Sequence, residues 1–230
     1  MSNLLDEDVR WIVRRLPTDI PPLLKLAGPK CFVAGGFLRA CVAHEDINDI
    51  DLFSSDATTA RLAANNLAES RRASVYESEN AVTVKSRPPV QFIHRWTFDG
   101  PVTCVESFDF TIARAAVWWD GSEWASFCDR DFYADLAAKR LRYRSPVREE
   151  AAAGSLLRVL KFYQRGYRIP LDSLADVLGR TYRGIKEDSS LVNAPGGLER
   201  VLLGMLHEVD PLVDMEHTAH LPASDLERAS

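Results

Sequence analysis

Residues Phe32–Phe53 read FVAGGFLRACVAHEDINDIDLF, and the order of pieces in that stretch decides the fold. Cys31–Ala34 is a short apolar run ending in Gly35–Gly36, the pattern of a buried strand closed by a turn. Phe37–Ala43 has helical composition and carries Arg39. Asp49–Phe53 alternates, so Ile50 and Leu52 share one face of a second strand while Asp49 and Asp51 share the other. The unit is therefore strand, glycine turn, short helix, and a strand that opens Asp-x-Asp.

Each piece suits a nucleoside triphosphate. Glycines lack Cβ, so the main chain at Gly35–Gly36 can approach phosphate oxygens closely. The helix that follows offers unpaired N–H groups and a partial positive charge to the same oxygens. Two carboxylates at i and i+2 repel unless cations sit between them, and Mg²⁺ favours carboxylate and phosphate oxygens. Two ions about 4 Å apart activate an attacking hydroxyl and stabilise a leaving pyrophosphate. The residues thus nominate Gly35, Gly36 and Arg39 for the triphosphate and Asp49 and Asp51 for two Mg²⁺ ions.

Outward from this unit, Leu5, Val9, Ile12 and Leu16 recur at helical spacing until Pro17, and Leu23–Leu26 forms a second short helix closed by Gly28–Pro29. Thr58–Ser70 reads as a helix, and Ala81–Lys85, Val90–His94 and Phe108–Val117 as strands, the last rich in alanine and open to being partly helical. After Tyr133 the chain turns helical, with Arg148–Arg165, Ser173–Tyr182 and Leu198–His207 as candidates. This is an α+β pattern: a small mixed sheet with flanking helices, then an all-α part. The expected organisation is N-terminal helices at 1–30 packing on a head at 31–140, followed by a helical neck at 141–230 with an acidic end.

Composition agrees. The chain has 230 residues, 46 % hydrophobic and 27 % charged, a globular balance. It lacks an apolar run of about 18 residues, and its acidic start MSNLLDEDVRW is unlike a signal peptide, so the expectation is a cytoplasmic protein with no membrane partner. Cys31, Cys41, Cys104 and Cys128 are too dispersed for a zinc site and read as small buried hydrophobes. His217 and His220 read as surface histidines. Net charge is −5, but Lys139–Arg168 holds nine basic and two acidic residues, a local +7, while 187–230 holds nine acidic and two basic, a local −7. The basic middle is either a confined polyanion surface or a solvated face paired with the acidic tail. Arg158, Lys161, Arg165 and Arg168 fall on one helical stripe, facing either triphosphate or RNA, or solvent. Trp118, Trp119 and Trp124 fit a hydrophobic hairpin better than a base-stacking platform, and His94–Arg95 is placed at a strand end near the site.

The ordered combination resembles the head domain of the nucleotidyltransferase superfamily that includes DNA polymerase β. It is most similar to bacterial poly(A) polymerases and class II CCA-adding enzymes, whose heads run G-G-x-x-R-D and then D-I-D-L. Here those positions are Gly35, Gly36, Arg39, Ala40 and Asp49-Ile50-Asp51-Leu52. Asp109-Phe110-Thr111-Ile112-Ala113-Arg114-Ala115 is similar to that branch's R-R-D-F-T-I-N-A, with Asp109 as the matching acid. Leu157–Tyr167 (LRVLKFYQRGY) resembles its neck helix. The likeness spans roughly residues 30–170. It implies an Mg²⁺-dependent enzyme transferring NMP from an NTP to a hydroxyl, with Asp49, Asp51 and Asp109 catalytic and Arg158, Lys161 and Arg165 beside the nucleotide.

The departures bear on the acceptor. Ala40 replaces an acid, Ser107 and Phe108 stand for two arginines, and Ala113 stands for asparagine. Gln91 occupies the place of a third metal carboxylate. Ala151-Ala152-Ala153-Gly154-Ser155 replaces the base-reading E-D-x-x-R, so base choice of the CCA type is not expected. Little chain follows the neck to grip a tRNA. The resemblance favours an RNA 3′ end, tRNA-like, as acceptor. A protein hydroxyl, as in toxin or defence enzymes, and a non-catalytic nucleotide- or RNA-binding module are the alternatives.

Overall fold

The computed structural model describes residues 2–145 and 153–186 and a few positions between 197 and 203. It divides into two compact units, with the boundary between Val147 and Arg148. The predicted helix Leu198–His207 lies largely outside the described residues, as do His217 and His220.

The first unit is built on a seven-stranded sheet in the order β3-β4-β5-β2-β1-β6-β7. Its strands are β1 (Cys31–Ala34), β2 (Ile50–Ser54), β3 (Val75–Glu77), β4 (Ala81–Val84), β5 (Val90–Ile93), β6 (Ala115–Trp119) and β7 (Trp124–Cys128). β2 and β5 run parallel and the other neighbours antiparallel, which makes the sheet mixed. The two strands of the diagnostic stretch are central and adjacent, with Phe32 paired to Phe53 and Val33 to Leu52.

Helices α1 (Asp6–Arg15) and α2 (Ile20–Ala27) precede the sheet. α1 has acids in its first turn and arginines in its last, matching the helix dipole at both ends. Its apolar residues Val9 and Ile12 are buried, and Trp11 Nε1 donates to the Cys41 carbonyl at 3.2 Å. The Tyr133 hydroxyl donates to Asp8 at 2.6 Å and accepts from the Leu5 amide at 2.9 Å, which pins the N-terminal segment to the head. Pro21 and Pro22 sit in the first turn of α2, where missing N–H groups cost nothing.

α3 (Gly36–Ala43) lies between β1 and β2, and α4 (Ala57–Arg71) follows β2. Asp56 caps α4, its two carboxylate oxygens accepting the Thr59 amide at 2.7 Å and the Thr59 hydroxyl at 2.6 Å. α2 and α4 line a common cavity against one sheet face with Cys31, Leu52 and Phe92. α5 (Pro101–Ser107) covers the other, where Phe32, Phe53, Ile93, Cys104 and Phe108 form one buried cluster. All four cysteines are buried and unbridged, as their spacing suggested. Burial pushes the Cys31 thiol up to about 12 and Cys41 to about 11.

The segment Phe108–Val117, read as a strand that its alanines could make partly helical, is strand only from Ala115. A 3₁₀ turn at Thr111–Ala113 precedes β6, because Arg114 turns inward to cap α5, donating to the Val105 and Glu106 carbonyls at 3.1 and 2.9 Å. The tryptophan segment is the expected hairpin, with Trp119 edge-on to Trp124 at 5.4 Å and Lys25 over the Trp119 ring. α6 (Phe132–Ala137) and an extended strip to Arg144 close the unit; Tyr143 bridges to Phe110.

That strip corrects the charge reading. Arg142 pairs with Asp135 at 3.1 Å, Arg140 with the same carboxyl at 3.5 Å, and Arg144 with Asp131 at 2.7 Å. Three of the nine basic residues of the positive segment are therefore paired with aspartates just upstream, a partner that neither alternative named.

The second unit contains α7 (Ala153–Gln164) and α8 (Leu171–Lys186). Arg158 and Lys161 lie on α7, but the helix ends at Gln164 and Gly166 takes a left-handed φ of 87°. Arg165 and Arg168 are thus off the helix, stacked over Phe162 and Tyr163, and the four cations do not form one helical stripe.

Candidate functional site

The end of β1 at Ala34 and the start of β2 at Ile50 are neighbours, since the register Val33–Leu52 continues to Ala34 beside Asp51. Gly35 leaves β1 with φ 81° and ψ −130°, a conformation reserved for glycine, and its amide donates to the Ala115 carbonyl at 3.0 Å. The Phe108 ring lies 3.6 Å from where a Gly35 Cβ would stand. Gly36 begins α3 with ordinary backbone angles, and the nearest atom to a Cβ built there is Arg39 Nη1 at 3.9 Å. The two glycines therefore do different work: Gly35 makes the turn, and Gly36 keeps the helix entrance bare.

This separation makes a prediction. Gly36→Ala leaves thermal stability within about 1 kcal/mol but weakens NTP binding at least several-fold, whereas Gly35→Ala costs on the order of 1–3 kcal/mol from backbone strain. Thermal melts and nucleotide titrations of both variants check it. Unchanged NTP affinity in Gly36→Ala makes the turn purely architectural.

Arg39, on α3, is almost buried and pairs with Glu45 at 3.2 Å. Glu45 sits in the loop returning to β2, a partner of Arg39 that no sequence pattern singled out. Ala40, in the place of the acid beside that arginine, is itself buried. Asp49 lies just before β2 and Asp51 within it; both are half-buried and flank fully buried Ile50. Gln91 on β5 is the direct cross-strand neighbour of Asp51, and its amide donates to Asp49 Oδ2 at 3.4 Å. Gln91 thus pairs with Asp51 in the ladder and touches Asp49 through its side chain. The structure brings Gly35, Gly36, Arg39, Asp49 and Asp51 to one end of the two central strands.

Asp109 follows Phe108 and is 2 % exposed, with its carbonyl accepting the Arg144 amide at 2.6 Å. Ser107, in the place of an arginine, is buried and donates to the Cys104 carbonyl. Among the described residues, no group of three or more His, Cys, Asp or Glu is arranged to hold a metal ion. His94 follows β5, whose parallel register sets Gln91 beside Asp51 and Ile93 beside Phe53. It therefore sits at the opposite strand end from Asp49, against Arg61 at 3.4 Å and Glu77 at 3.6 Å, which corrects its placement near the site.

The donor set fits a hard divalent cation. Asp49, Asp51 and the Gln91 amide supply only oxygen ligands, and the carboxylates stay partly open, as an ion sharing its shell with phosphates requires.

The fold is similar to that of CCA-adding enzymes. A CCA-adding enzyme in complex with ATP superposes with a TM-score of 0.59 at 18 % identity, over 88 % of this chain and 51 % of that one. The Thermotoga maritima CCA-adding enzyme complexed with tRNA_CCA gives 0.55 at 17 % identity, over 90 % and 52 %. The chain spans about half the length of these enzymes, and at such identity the likeness is one of fold. In sequence, the model of the Gabija anti-defense 2 family matches residues 3–139, so this chain belongs to that family. A "Gabija anti-defense 2" protein of Bacillus phage SPbetaL7 is 28 % identical over 145 residues, 61 % of this chain and 34 % of that relative. The chain thus spans about a third of the relative's length. The solved structures agree in fold with the resemblance to CCA-adding enzymes, and the family that the sequence matches is one the resemblance did not name.

Among the described residues no helix is long and apolar enough to cross a membrane.

Proposed function

We propose that this protein is a divalent-cation-dependent nucleotidyltransferase that moves an NMP from an NTP onto a hydroxyl of a bacterial defence component, releasing pyrophosphate. The observation that carries the reading is the convergence of the Gly35 turn, the α3 entrance, Arg39 and the Asp49–Asp51 pair at one end of β1 and β2. The backbone at Gly36 and the α3 N-terminus bind triphosphate oxygens, and Arg39, held by Glu45, places its guanidinium beside that entrance. Asp49 and Asp51 would hold Mg²⁺, which when bound supplies charge neutralisation at the phosphates and makes an acceptor hydroxyl more acidic. Asp109 assists from the segment after Phe108. The reading needs only the first unit.

Family membership favours a defence component over the RNA 3′ end that the resemblance suggested, since relatives carry an anti-defence name. The pairing of Arg140, Arg142 and Arg144 with aspartates removes part of the charge argument for RNA. Half-open carboxylates favour catalysis over a passive module, because an unused acidic pair only adds repulsion.

The test is incubation of the full chain with each α-labelled NTP, Mg²⁺, purified Gabija proteins and total bacterial RNA. Mg²⁺-dependent label on a Gabija protein is the expected result. Label on RNA alone returns the acceptor to a 3′ end, and nucleotide binding without label on either overturns the transferase reading.

A further inference from the structure

The neutral Gln91 side chain sits beside both acids: its residue pairs with Asp51 across the β2–β5 ladder, and its amide donates to Asp49 Oδ2 at 3.4 Å. A carboxylate at neutral pH only accepts hydrogen bonds, so the Gln91 amide must present N–H to Asp49. Two consequences follow. The contact restrains Asp49 on the Asp51 side of the sheet, offsetting part of the repulsion between the two acids. It also fills with an uncharged group a position from which a carboxylate would contribute a full negative charge to any bound cation.

We infer that Gln91 is a positioning residue that makes metal occupancy conditional on nucleotide. Divalent-ion affinity rises with the number of charged oxygen ligands. With two carboxylates and an amide, the site holds a lone cation poorly, and the triphosphate oxygens gathered at Gly36 and Arg39 complete the shell. Metal and NTP then bind together and leave together, so no charged ion stays in the cleft between turnovers. This inference rests on the nucleotidyltransferase reading above and specifies how its site is loaded.

Mn²⁺ is the probe, followed by electron paramagnetic resonance on the full chain, with and without α,β-methylene analogues of the four NTPs. The wild type should bind Mn²⁺ at least about tenfold more tightly with an analogue than alone. Gln91→Glu adds a third carboxylate. It should raise affinity for Mn²⁺ alone at least about tenfold, shrink the gain from the analogue, and lower the metal-free melting temperature while making it more responsive to Mn²⁺. Gln91→Ala, which adds no charge and loses the hydrogen bond, should fold normally and bind the Mn²⁺–analogue pair several-fold more weakly. A wild type that binds neither Mn²⁺ nor the Mn²⁺–analogue pair overturns the nucleotidyltransferase reading itself. A wild type that binds the pair, with Gln91→Glu no tighter for Mn²⁺ alone or Gln91→Ala unchanged for the pair, leaves that reading standing and overturns the role of Gln91.

Discussion

Replacing Asp49 and Asp51 together by asparagine abolishes nucleotidyl transfer while the head stays folded. Asparagine keeps the shape of each side chain and an acceptor oxygen for Gln91, but removes both charges that hold a divalent ion. Both positions are half-buried and close on one strand face, so the change relieves their mutual repulsion and should leave the head folded. Each single substitution should slow transfer by about 10²–10³ or more, a few kcal/mol of transition-state stabilisation. Pyrophosphate release measured beside a thermal melt separates loss of chemistry from loss of fold. Turnover retained in the double variant contradicts the two-carboxylate site.

The second large effect is on stability, at a residue with no part in the chemistry. Arg114 is 9 % exposed, caps the end of α5 through two carbonyls, and pairs with Asp129 at 3.6 Å. Burial pulls its pKa down, a sign of how far the guanidinium is withdrawn from water, and Asp129 opposes that shift. Arg114→Leu strands two helix-end carbonyls and leaves the buried Asp129 with the Asp131 amide at 3.0 Å and Arg144 at 3.7 Å but without its nearest cation. The expected cost is about 3–5 kcal/mol, visible as a lower urea midpoint. Because α5 carries Phe108 toward Gly35, nucleotide affinity should fall with it. Arg114→Lys should recover little, since a single ammonium cannot serve two carbonyls and a carboxylate in that planar arrangement. A loss under about 1 kcal/mol in Arg114→Leu would place the packing of α5 elsewhere.

How much of this was legible in advance depended on whether the signal was local. The Gly35–Gly36 turn and the Asp49-Ile50-Asp51 alternation are short-range patterns, and a turn between two apolar strands leaves few ways to fold. The same holds for the tryptophan hairpin and the buried cysteines. Partner choice was not legible. Charge counting found the arginines at 140, 142 and 144, but only the antiparallel return of that strip sets them against Asp131 and Asp135. The division of labour between Gly35 and Gly36 needed a backbone angle, which two identical residues do not announce. His94 was misplaced because adjacency along β5 says nothing of direction; the parallel pairing with β2 carries it to the far end. The neck stripe failed at Gly166, whose left-handed angle ends the helical period after Gln164. β3 is exposed at all three residues and carries no core signal.

The most direct measurement is a crystal structure of the full chain grown with Mn²⁺ and an α,β-methylene NTP analogue, with the metal located by its anomalous signal. The account predicts manganese ligated by Asp49 and Asp51 and triphosphate oxygens at the Gly36 end of α3. A nucleotide bound elsewhere, or bound at Gly36 with no metal on the two aspartates, would contradict it.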